Sequence, residues 1–555
     1  MKAWLRRHVD PLILVPLTAA VLASLAVYFH LVMLEDVFIW DEASYAHRAL
    51  QVYRALQLGG IGSVLHGLSR PEMMTYGFLH SWLEAGVFLI FGPSYNAARG
   101  LSVTCLGISI LLNYFLGRRL EPCRSCWIGT AASFLLATSP LMLAWSAQNM
   151  LEPACVLFVL VSLWLLCVAI DRGSAVLFYA GGLFVGLTFL TKHTVGGLLG
   201  ASMCLSAVVA VAVAPAHARR VEAARYGLLL CGAATVVLLW LTQVDVQEQF
   251  SRFKWELLYS GLDVDQTRTG GVQISLGAKL WAYAQEVTLE YVPGRLGWIV
   301  VALCGASVAF LRQAKVRAVA FFVAISWLAT SSMNVLQGRY IMTMVAPAFA
   351  LSAFTAAALY DRLQARLSRA LSLSMLAWSL WLFGLNAFSA LQTAERMVFT
   401  SVTARPGTTP DSRLLDVLEF FRRQVPVTSG FATAVRSDRL SPYVWRFHFS
   451  SRPASALTSH EVDTPEFLAQ PYFLSIEVSD RCPYWPELQA ENRLQNLTLW
   501  NDYLKERLRG GSVRIKTQKA FPLLSMTAIV YENLAVAAPR ASLPPLPAFL
   551  PPMKV

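Results

Sequence analysis

Long apolar runs dominate the first 392 residues, and each is close to the length of a transmembrane helix, for which about 20 apolar residues suffice. The runs are 11–34, 74–92, 98–117, 127–148, 153–170, 174–191, 194–214, 225–241, 295–312, 316–333, 340–360 and 370–391. The first run exceeds the apolar part of a cleaved signal peptide, so we expect a retained anchor. The pattern predicts a mainly α, polytopic membrane helix bundle.

Basic residues in the gaps between the runs predict the orientation, because Lys and Arg collect on the cytoplasmic side. The clusters are Lys2/Arg6/Arg7, Arg118/Arg119/Arg124, Arg172, Arg219/Arg220/Arg225, Arg312/Lys315/Arg317 and Arg362/Arg366/Arg369. If every run spans the membrane, the later clusters fall outside. If the run 74–92 lies at the interface or re-enters, all of them fall inside. That run carries His80 and Glu84, which are costly against lipid. We therefore predict about eleven spans and a cytoplasmic N-terminus.

This topology places a first outer loop, 35–97, and a second, 242–294, on the extracytoplasmic side. Residues 35–60 have apolar positions near helical spacing and predict a helix along the membrane surface. Short outer segments are expected at 149–152, at 191–193 and at 334–339.

The composition becomes ordinary from about residue 393. Residues 411–424 read as an amphipathic helix and 486–509 as mostly helix, whereas 471–478 and 525–531 read as strands. We therefore predict a transmembrane domain, 1–392, followed by a small extracytoplasmic α/β domain, 393–555.

Charge narrows the choice of partner. Only 14% of the residues are charged and the net charge is +12. The basic residues flank apolar spans and do not form one patch, which argues against nucleic-acid binding and for a partner in the membrane.

The predicted topology brings eight polar residues to one membrane boundary. They are Asp41 and Glu42 in WDEASYAHRAL, Arg70 in LSRPEMMTYG, Glu152 in QNMLEPACVLF, Lys192 and His193 in FLTKHTVGG, and Arg339 and Tyr340 in QGRYIM. A carboxylate can take a proton from an attacking hydroxyl or amine. Lys and Arg can stabilise a departing phosphate. A sugar joined through phosphate to an isoprenoid has the polar head and apolar tail that such a site requires.

Each residue also has a purely structural alternative. Asp41 can cap a helix, and Glu152 beside Pro153 is a favourable first-turn acid. Lys192 can extend to the headgroups, Arg339 can anchor the end of a span, and Arg70 can bind a lipid phosphate. Their agreement on one side of the membrane favours the chemical interpretation.

Five motifs, in order and spacing, resemble the GT-C superfamily of polyprenyl-phosphate-sugar-dependent glycosyltransferases over residues 1–360. They are WDEASYAHRAL, AARGLS…YFLGRRL, LLATSPLMLAWSAQNMLEP, GLTFLTKHTVGGLL and GRYIMTMVAPAFAL. Within the superfamily the chain is most similar to protein O-mannosyltransferase-like enzymes and to the 4-amino-arabinose lipid A transferase family.

The resemblance implies roles for these residues. Asp41 is the expected catalytic carboxylate, and Glu42 positions the acceptor or a bound ion. Glu152 stands where relatives often have Asp. Lys192, with His193, is expected near the donor phosphate, and Arg339 and Tyr340 form the RY element. The family's Lys-Pro element appears as Arg70-Pro71, and arginine is planar and bidentate where lysine is not.

The resemblance implies an inverting, multi-pass inner-membrane transferase with a polyprenyl-phosphate sugar donor and a protein, lipid A or envelope-glycan acceptor. Some relatives bind a divalent cation at the outer face, but no His/carboxylate pair here matches such a site, so metal ligands are not assigned. The alternatives are a transporter or flippase of a lipid-linked substrate, in which buried acids relay protons, and a non-catalytic scaffold that displays the C-terminal domain.

Overall fold

A computed structural model describes most of the helical region and a large part of the C-terminal domain. The described residues are 13–32, 40–67, 78–121, 125–242, 275–292, 296–332 and 338–364, then mainly 414–426, 429–433, 442–449, 456–458, 470–482 and 493–534. They fall into two compact units. One contains Met1–Val32 and Val52–Val398, and the other contains Met33–Gln51 and Phe399–Val555.

The first unit is a helical bundle whose helices follow the predicted apolar runs. In chain order the helices are α1 Leu14–Ala26, α2 Trp40–Gly67, α3 Phe78–Phe91, α4 Tyr95–Leu120, α5 Ser125–Ala137, α6 Pro140–Ser146, α7 Leu151–Arg172, α8 Ala175–Thr191, α9 His193–Val213, α10 Arg219–Leu241, α11 Leu276–Glu286, α12 Leu296–Ala306, α13 Ala314–Ser332 and α14 Met342–Gln364. Short π-helical segments, Val27–Val32 and Val287–Tyr291, extend α1 and α11. Helix α2 begins in the second unit and ends in the first.

Within the part of the chain that the structure describes, 7 helices are long and apolar enough to cross a membrane, or 8 if the bent pair α5 and α6 is one span. Helices α3, α8 and the segment Gly297–Phe310 are apolar but shorter. The chain is therefore a multi-pass membrane protein, and the larger number of spans stays a prediction. The expected run 370–391 lies outside the described residues.

An ion-pair cluster marks one end of the bundle. Asp171, near the C-terminus of α7, lies 3.6 Å from Arg119 at the end of α4 and 2.9 Å from Lys315 at the start of α13. Helix α7 has 22 residues, so its two ends are about 33 Å apart. Glu152, in the first turn of α7, is therefore at the opposite end of the bundle from these basic residues. The cytoplasmic assignment of the Asp171 end stays a prediction.

Glycines allow α8 and α10 to pack closely. A Cβ atom at Gly182 of α8 would collide with the carbonyl oxygen of Leu229, and one at Gly232 of α10 with that of Tyr179. Membrane helices associate largely through such close van der Waals packing. The glycines thus hold α8 firmly, and α8 leads directly into Lys192.

The second unit contains a five-stranded sheet with the order β2-β1-β3-β5-β4. Its strands are β1 Phe431–Thr433, β2 Ala456–Thr458, β3 Tyr472–Val478, β4 Val513–Phe521 and β5 Met526–Asn533, and its helices are α15 Leu414–Gln424, α16 Pro442–His448 and α17 Arg493–Arg509. Strands β1, β2 and β3 are parallel, whereas β5 runs antiparallel to β3 and β4. Trp500 of α17 packs on Phe473 and Tyr503 and donates a 3.1 Å hydrogen bond to the Leu474 carbonyl oxygen.

The predicted fold class, a membrane helix bundle with a small α/β domain, is confirmed. The strands expected at 471–478 and 525–531 are β3 and β5, and the helix expected at 411–424 is α15. The sequence interpretation missed three strands, β1, β2 and β4. Strands β1 and β2 have three residues each, and β2 pairs with β1, which in turn pairs with β3. Local pattern carries little information about such distant partners.

Candidate functional site

Glu152 and Lys192 form a buried ion pair in the first unit. The Lys192 Nζ lies 2.7 Å from Glu152 Oε1, and the two side chains are only 6% and 5% exposed. Glu152 occupies the first turn of α7 beside Pro153, a position that suits proline because the early amides of a helix have no intrahelical partner. Lys192 is an extended residue, φ −152° and ψ 106°, between the end of α8 and the start of α9. Two helix termini thus meet at one ion pair.

A second cation and two aromatic rings border this pair. The Lys192 Nζ lies 4.8 Å from the centre of the Tyr340 ring. The Arg339 guanidinium lies 5.4 Å from the same ring and 5.7 Å from the Trp145 ring. Cations are attracted to aromatic faces, so the rings hold both basic groups in place. With Glu152 ionised, the three charged groups carry one net positive charge, which suits a phosphate.

His193 supports the lysine through packing. Its ring centre lies 4.7 Å from that of Phe189 and 5.2 Å from that of Trp240. His193 is also the first residue of α9, and the N-terminus of a helix favours an anion because its first amides are unsatisfied and its dipole is positive there.

Three of the predicted residues are not part of this group, two because they belong to the second unit and one because the structure does not describe it. Asp41 and Glu42 lie in the first turn of α2, within the second unit. Asp41 is half-buried and Glu42 is completely buried. Arg70 lies outside the described residues. Of the eight predicted residues, the structure therefore brings together Glu152, Lys192, Arg339 and Tyr340, with His193 beside them.

A buried polar network that the sequence interpretation missed lies next to this group. His80 Nε2 is 2.9 Å from Asn149 Oδ1, and Asn149 Nδ2 donates a 3.0 Å hydrogen bond to Glu84 Oε1. All three residues are completely buried. His80 and Glu84 therefore do not face lipid, and hydrogen bonds meet the cost of their burial. Their spacing of four residues on one helix, together with Asn149 in the QNMLEP motif, was the available signal.

An acidic segment also borders the site. Helix α11 packs against the turn Gly338–Ile341, and the π-helical segment after it packs against α6. Burial, and then the neighbouring Glu290 carboxylate, raises the pKa of Glu286 to about 7. Burial also raises the pKa of Tyr291 well above its ordinary value, with further contributions from Glu286, Glu290 and Glu152. These residues stand in the loop predicted at 242–294, where no motif singled them out.

No group of three or more His, Cys, Asp or Glu residues is arranged to hold a metal ion within the described ranges. The described site offers carboxylates, cations and helix termini.

The fold of this polytopic membrane protein is similar to that of several solved structures. The chain aligns with the crystal structure of ArnT from Cupriavidus metallidurans in the apo state at a TM-score of 0.60, with 13% identity, over 94% of this chain and 98% of that one. The same protein bound to undecaprenyl phosphate gives a TM-score of 0.57, 12% identity and coverage of 92% and 97%. The archaeal oligosaccharyltransferase AglB from Archaeoglobus fulgidus, in complex with an inhibitory peptide and a dolichol-phosphate, gives 0.53, 15% identity and coverage of 90% and 71%.

Sequence comparison agrees with the fold. Residues 75–242 match the family described as dolichyl-phosphate-mannose-protein mannosyltransferase. The undecaprenyl phosphate-alpha-4-amino-4-deoxy-L-arabinose arabinosyl transferase of Pseudomonas aeruginosa is 32% identical over 229 residues, which are 40% of this chain and 39% of the relative. A similarly named protein of Pseudomonas fluorescens is 29% identical over 238 residues, 40% and 38% of the two chains. The match thus spans about two fifths of the length of these curated relatives. In sequence over about two fifths of its length, and in fold over most of it, the chain is similar to polyprenyl-phosphate-sugar glycosyltransferases, which is the resemblance that its motifs predicted.

Proposed function

We propose that this protein transfers a sugar from a polyprenyl-phosphate donor to an acceptor hydroxyl or amine at the outer face of the membrane. The observation that carries the proposal is the buried Glu152–Lys192 pair, bordered by Arg339 and Tyr340, at one end of a GT-C bundle. The end that carries Asp171, Arg119 and Lys315 is then the cytoplasmic one.

The cations of the site act on the donor phosphate. Lys192 and Arg339, with Arg70 from the first outer loop, stabilise the negative charge that builds on the phosphate as the sugar leaves. Glu152 holds Lys192 in position and orients the acceptor or a cation. The N-terminus of α9, which begins at His193, adds a favourable dipole. The bound undecaprenyl phosphate and dolichol-phosphate in the solved relatives support a donor of this class.

Asp41 is the proposed general base, on the strength of its motif. The acceptor oxygen or nitrogen forms a bond to the anomeric carbon while the bond from that carbon to the phosphate oxygen breaks. The acceptor proton passes to Asp41, the electron pair leaves with the polyprenyl phosphate, and the configuration inverts. Glu42 positions the acceptor. The acceptor is a protein, lipid A or an envelope glycan, the alternatives that the sequence leaves open.

The test uses the purified full-length chain in nanodiscs with two probes, undecaprenyl-phosphate 4-amino-4-deoxy-L-arabinose and undecaprenyl-phosphate mannose. Envelope lipids, glycans and proteins from cells that lack the gene serve as acceptors. Mass spectrometry follows the gain of a pentose or hexose mass and the release of undecaprenyl phosphate. We expect transfer from one of the probes.

Asp41→Asn should lower transfer by about 1000-fold or more, since general-base catalysis contributes up to about 10,000-fold. Asp171→Asn is the matched control, because it makes the same substitution at the end of α7 that is far from Glu152. This variant should transfer sugar at the native rate. Near-normal turnover by Asp41→Asn would remove Asp41 from its role. Movement of either probe across the bilayer without sugar transfer would replace the proposal with a transporter.

A further inference from the structure

The segment that carries Glu152 has a weak local anchor. Between the end of α6 at Ser146 and the start of α7 at Leu151 the chain is not helical. Met150 is the N-cap residue of α7, and its side chain makes no capping hydrogen bond. Capping side chains normally satisfy the first amides of a helix and secure its first turn. The first turn of α7, which positions Glu152, therefore depends on contacts from elsewhere in the fold.

Asn149 supplies such a contact, immediately before this turn. Its side chain joins α7 to α3 through His80 and Glu84, which are 69 and 65 residues away along the chain. On the other side of the same segment, Met150 Sδ lies 4.0 Å from Arg339 Nη1. A movement of this segment would therefore change the positions of both Glu152 and Arg339.

Helix α3 is a firm support for this link. Ala85 belongs to an apolar cluster with Val52, Leu190 and Trp240. Leu83 and Val87 pack on a second cluster that includes Ala154, in the first turns of α7. Apolar packing thus fixes α3 against α7 and the end of α8. The polar network then fixes the position of the segment between α6 and α7, which contains Asn149.

The residue types in the network determine which groups donate its hydrogen bonds and which accept them. Asn149 Nδ2 donates to Glu84 Oε1, so Asn149 Oδ1 faces His80 and accepts from its Nε2 in the tautomer that carries a proton there. Asparagine is the residue type that accepts from one neighbour and donates to the other. An aspartate at this position would place two carboxylates in contact.

We propose that His80, Asn149 and Glu84 are positioning residues, whose hydrogen-bonded network holds the Met150–Glu152 segment so that Glu152 and Lys192 stay paired. Its catalytic consequence rests on the proposed function. The consequence for the Glu152–Lys192 geometry is a property of the fold and is measurable without any transfer reaction.

The test compares Asn149→Asp, Glu84→Gln and the double variant in the full-length chain in nanodiscs. Asn149→Asp opposes the new carboxylate with Glu84. Glu84→Gln alone keeps an amide oxygen that accepts from Asn149. In the double variant the new amide at position 84 donates to the carboxylate at position 149, and His80 donates to it as before. The hydrogen bonds are then restored with the carboxylate and the amide exchanged.

The first readout is amine labelling of Lys192, followed by peptide mass spectrometry. Lys192 is 5% exposed and paired in the native chain. We expect Asn149→Asp to raise its labelling rate about tenfold or more, and the double variant to return it to within twofold of the native rate. Lys315, which lies at the start of α13 and pairs with Asp171, is the internal reference and should label equally in all variants. Unchanged labelling of Lys192 in Asn149→Asp overturns the inference, whatever the transfer assay shows.

The second readout is transfer with the probe that the native chain uses. A misplacement of about 1 Å can cost about 100-fold in rate, so Asn149→Asp should lower kcat by about that factor with a small change in KM. The double variant should recover most of the lost kcat.

Asn113→Asp is the matched control. Asn113 is a buried asparagine whose side chain donates a hydrogen bond to the Ala132 carbonyl oxygen, and it lies six residues before Arg119 in α4. It should destabilise the bundle without changing kcat. Equal loss of kcat in Asn113→Asp and Asn149→Asp, with no rescue by Glu84→Gln, overturns the positioning role. A native chain that transfers from neither probe counts against the proposed function alone.

Discussion

Removal of one charge from the Glu152–Lys192 pair distinguishes the contribution of Lys192 to stability from its contribution to sugar transfer. At 2.7 Å between Nζ and Oε1, the attraction is about 6 kcal/mol at an effective dielectric constant of about 20. Desolvation costs several kcal/mol for each ion, so the pair as a whole contributes little to stability. Loss of one partner, however, leaves a buried charge unbalanced and costs about 3–5 kcal/mol.

We therefore expect Lys192→Met and Glu152→Gln each to lower the free energy of unfolding by about 3–5 kcal/mol. The double variant should lie within about 2 kcal/mol of the native chain, because it removes both charges of the pair and leaves the net charge of the site unchanged. Denaturation in mixed micelles, followed by tryptophan fluorescence, measures this cycle. The matched cycle is Lys315→Met with Asp171→Asn. That pair is 14% and 31% exposed, so its coupling should be about 1 kcal/mol or less.

Sugar transfer by the same variants gives the decisive result. If Lys192 stabilises the departing phosphate, the double variant regains stability but stays about 100- to 1000-fold below the native rate, the usual cost of one lost transition-state contact. Recovery of transfer together with stability would mean that Lys192 only balances Glu152. A stability cycle in which the two single effects simply add would refute the ion pair itself.

Two further predictions follow from the fold. Because the pKa of Glu286 is raised to about 7, its protonated form stabilises the fold at low pH, and this contribution is lost as the pH rises from about 4.5 through 7. The melting temperature should therefore fall less between pH 5 and pH 8 in Glu286→Gln than in the native chain. Equal falls would contradict the burial of this carboxyl. Gly182→Ala should lower the free energy of unfolding by about 1–3 kcal/mol through overpacking against Leu229. Gly197→Ala is its control, because nothing lies within 4 Å of the added Cβ, and equal effects of the two changes would argue against close packing of α8 on α10.

The helical framework could be read from apolar runs alone. The run 98–117 became the helix Tyr95–Leu120, and the run 194–214 became His193–Val213. The agreement has a simple cause, since a chain in lipid must satisfy every backbone hydrogen bond within its own helix. The sequence predicted less well which apolar runs form helices long enough to cross a membrane. The break at Lys192 shortens α8, and the bend between α5 and α6 divides another long apolar stretch.

The candidate site was predictable only as a set of residue types on one side of the membrane. Charge and motif order selected Glu152, Lys192, Arg339 and Tyr340, which the fold brings together. Nothing local indicated that Trp145 would border Arg339. Nothing local indicated either that α11 would pack against the turn Gly338–Ile341, because these contacts join segments far apart in the chain.

The difference is clearest at His80 and Glu84. Their cost in lipid is a property of the side chains and is visible in the sequence. The hydrogen bonds that offset this cost come from Asn149, 65 residues beyond Glu84 in the chain. Helix packing brings it within hydrogen-bonding distance. Hydrophobic pattern acts over a few turns of helix and therefore defines the elements. Hydrogen bonds and ion pairs act over about 3 Å, so only the packed bundle decides which polar groups become partners.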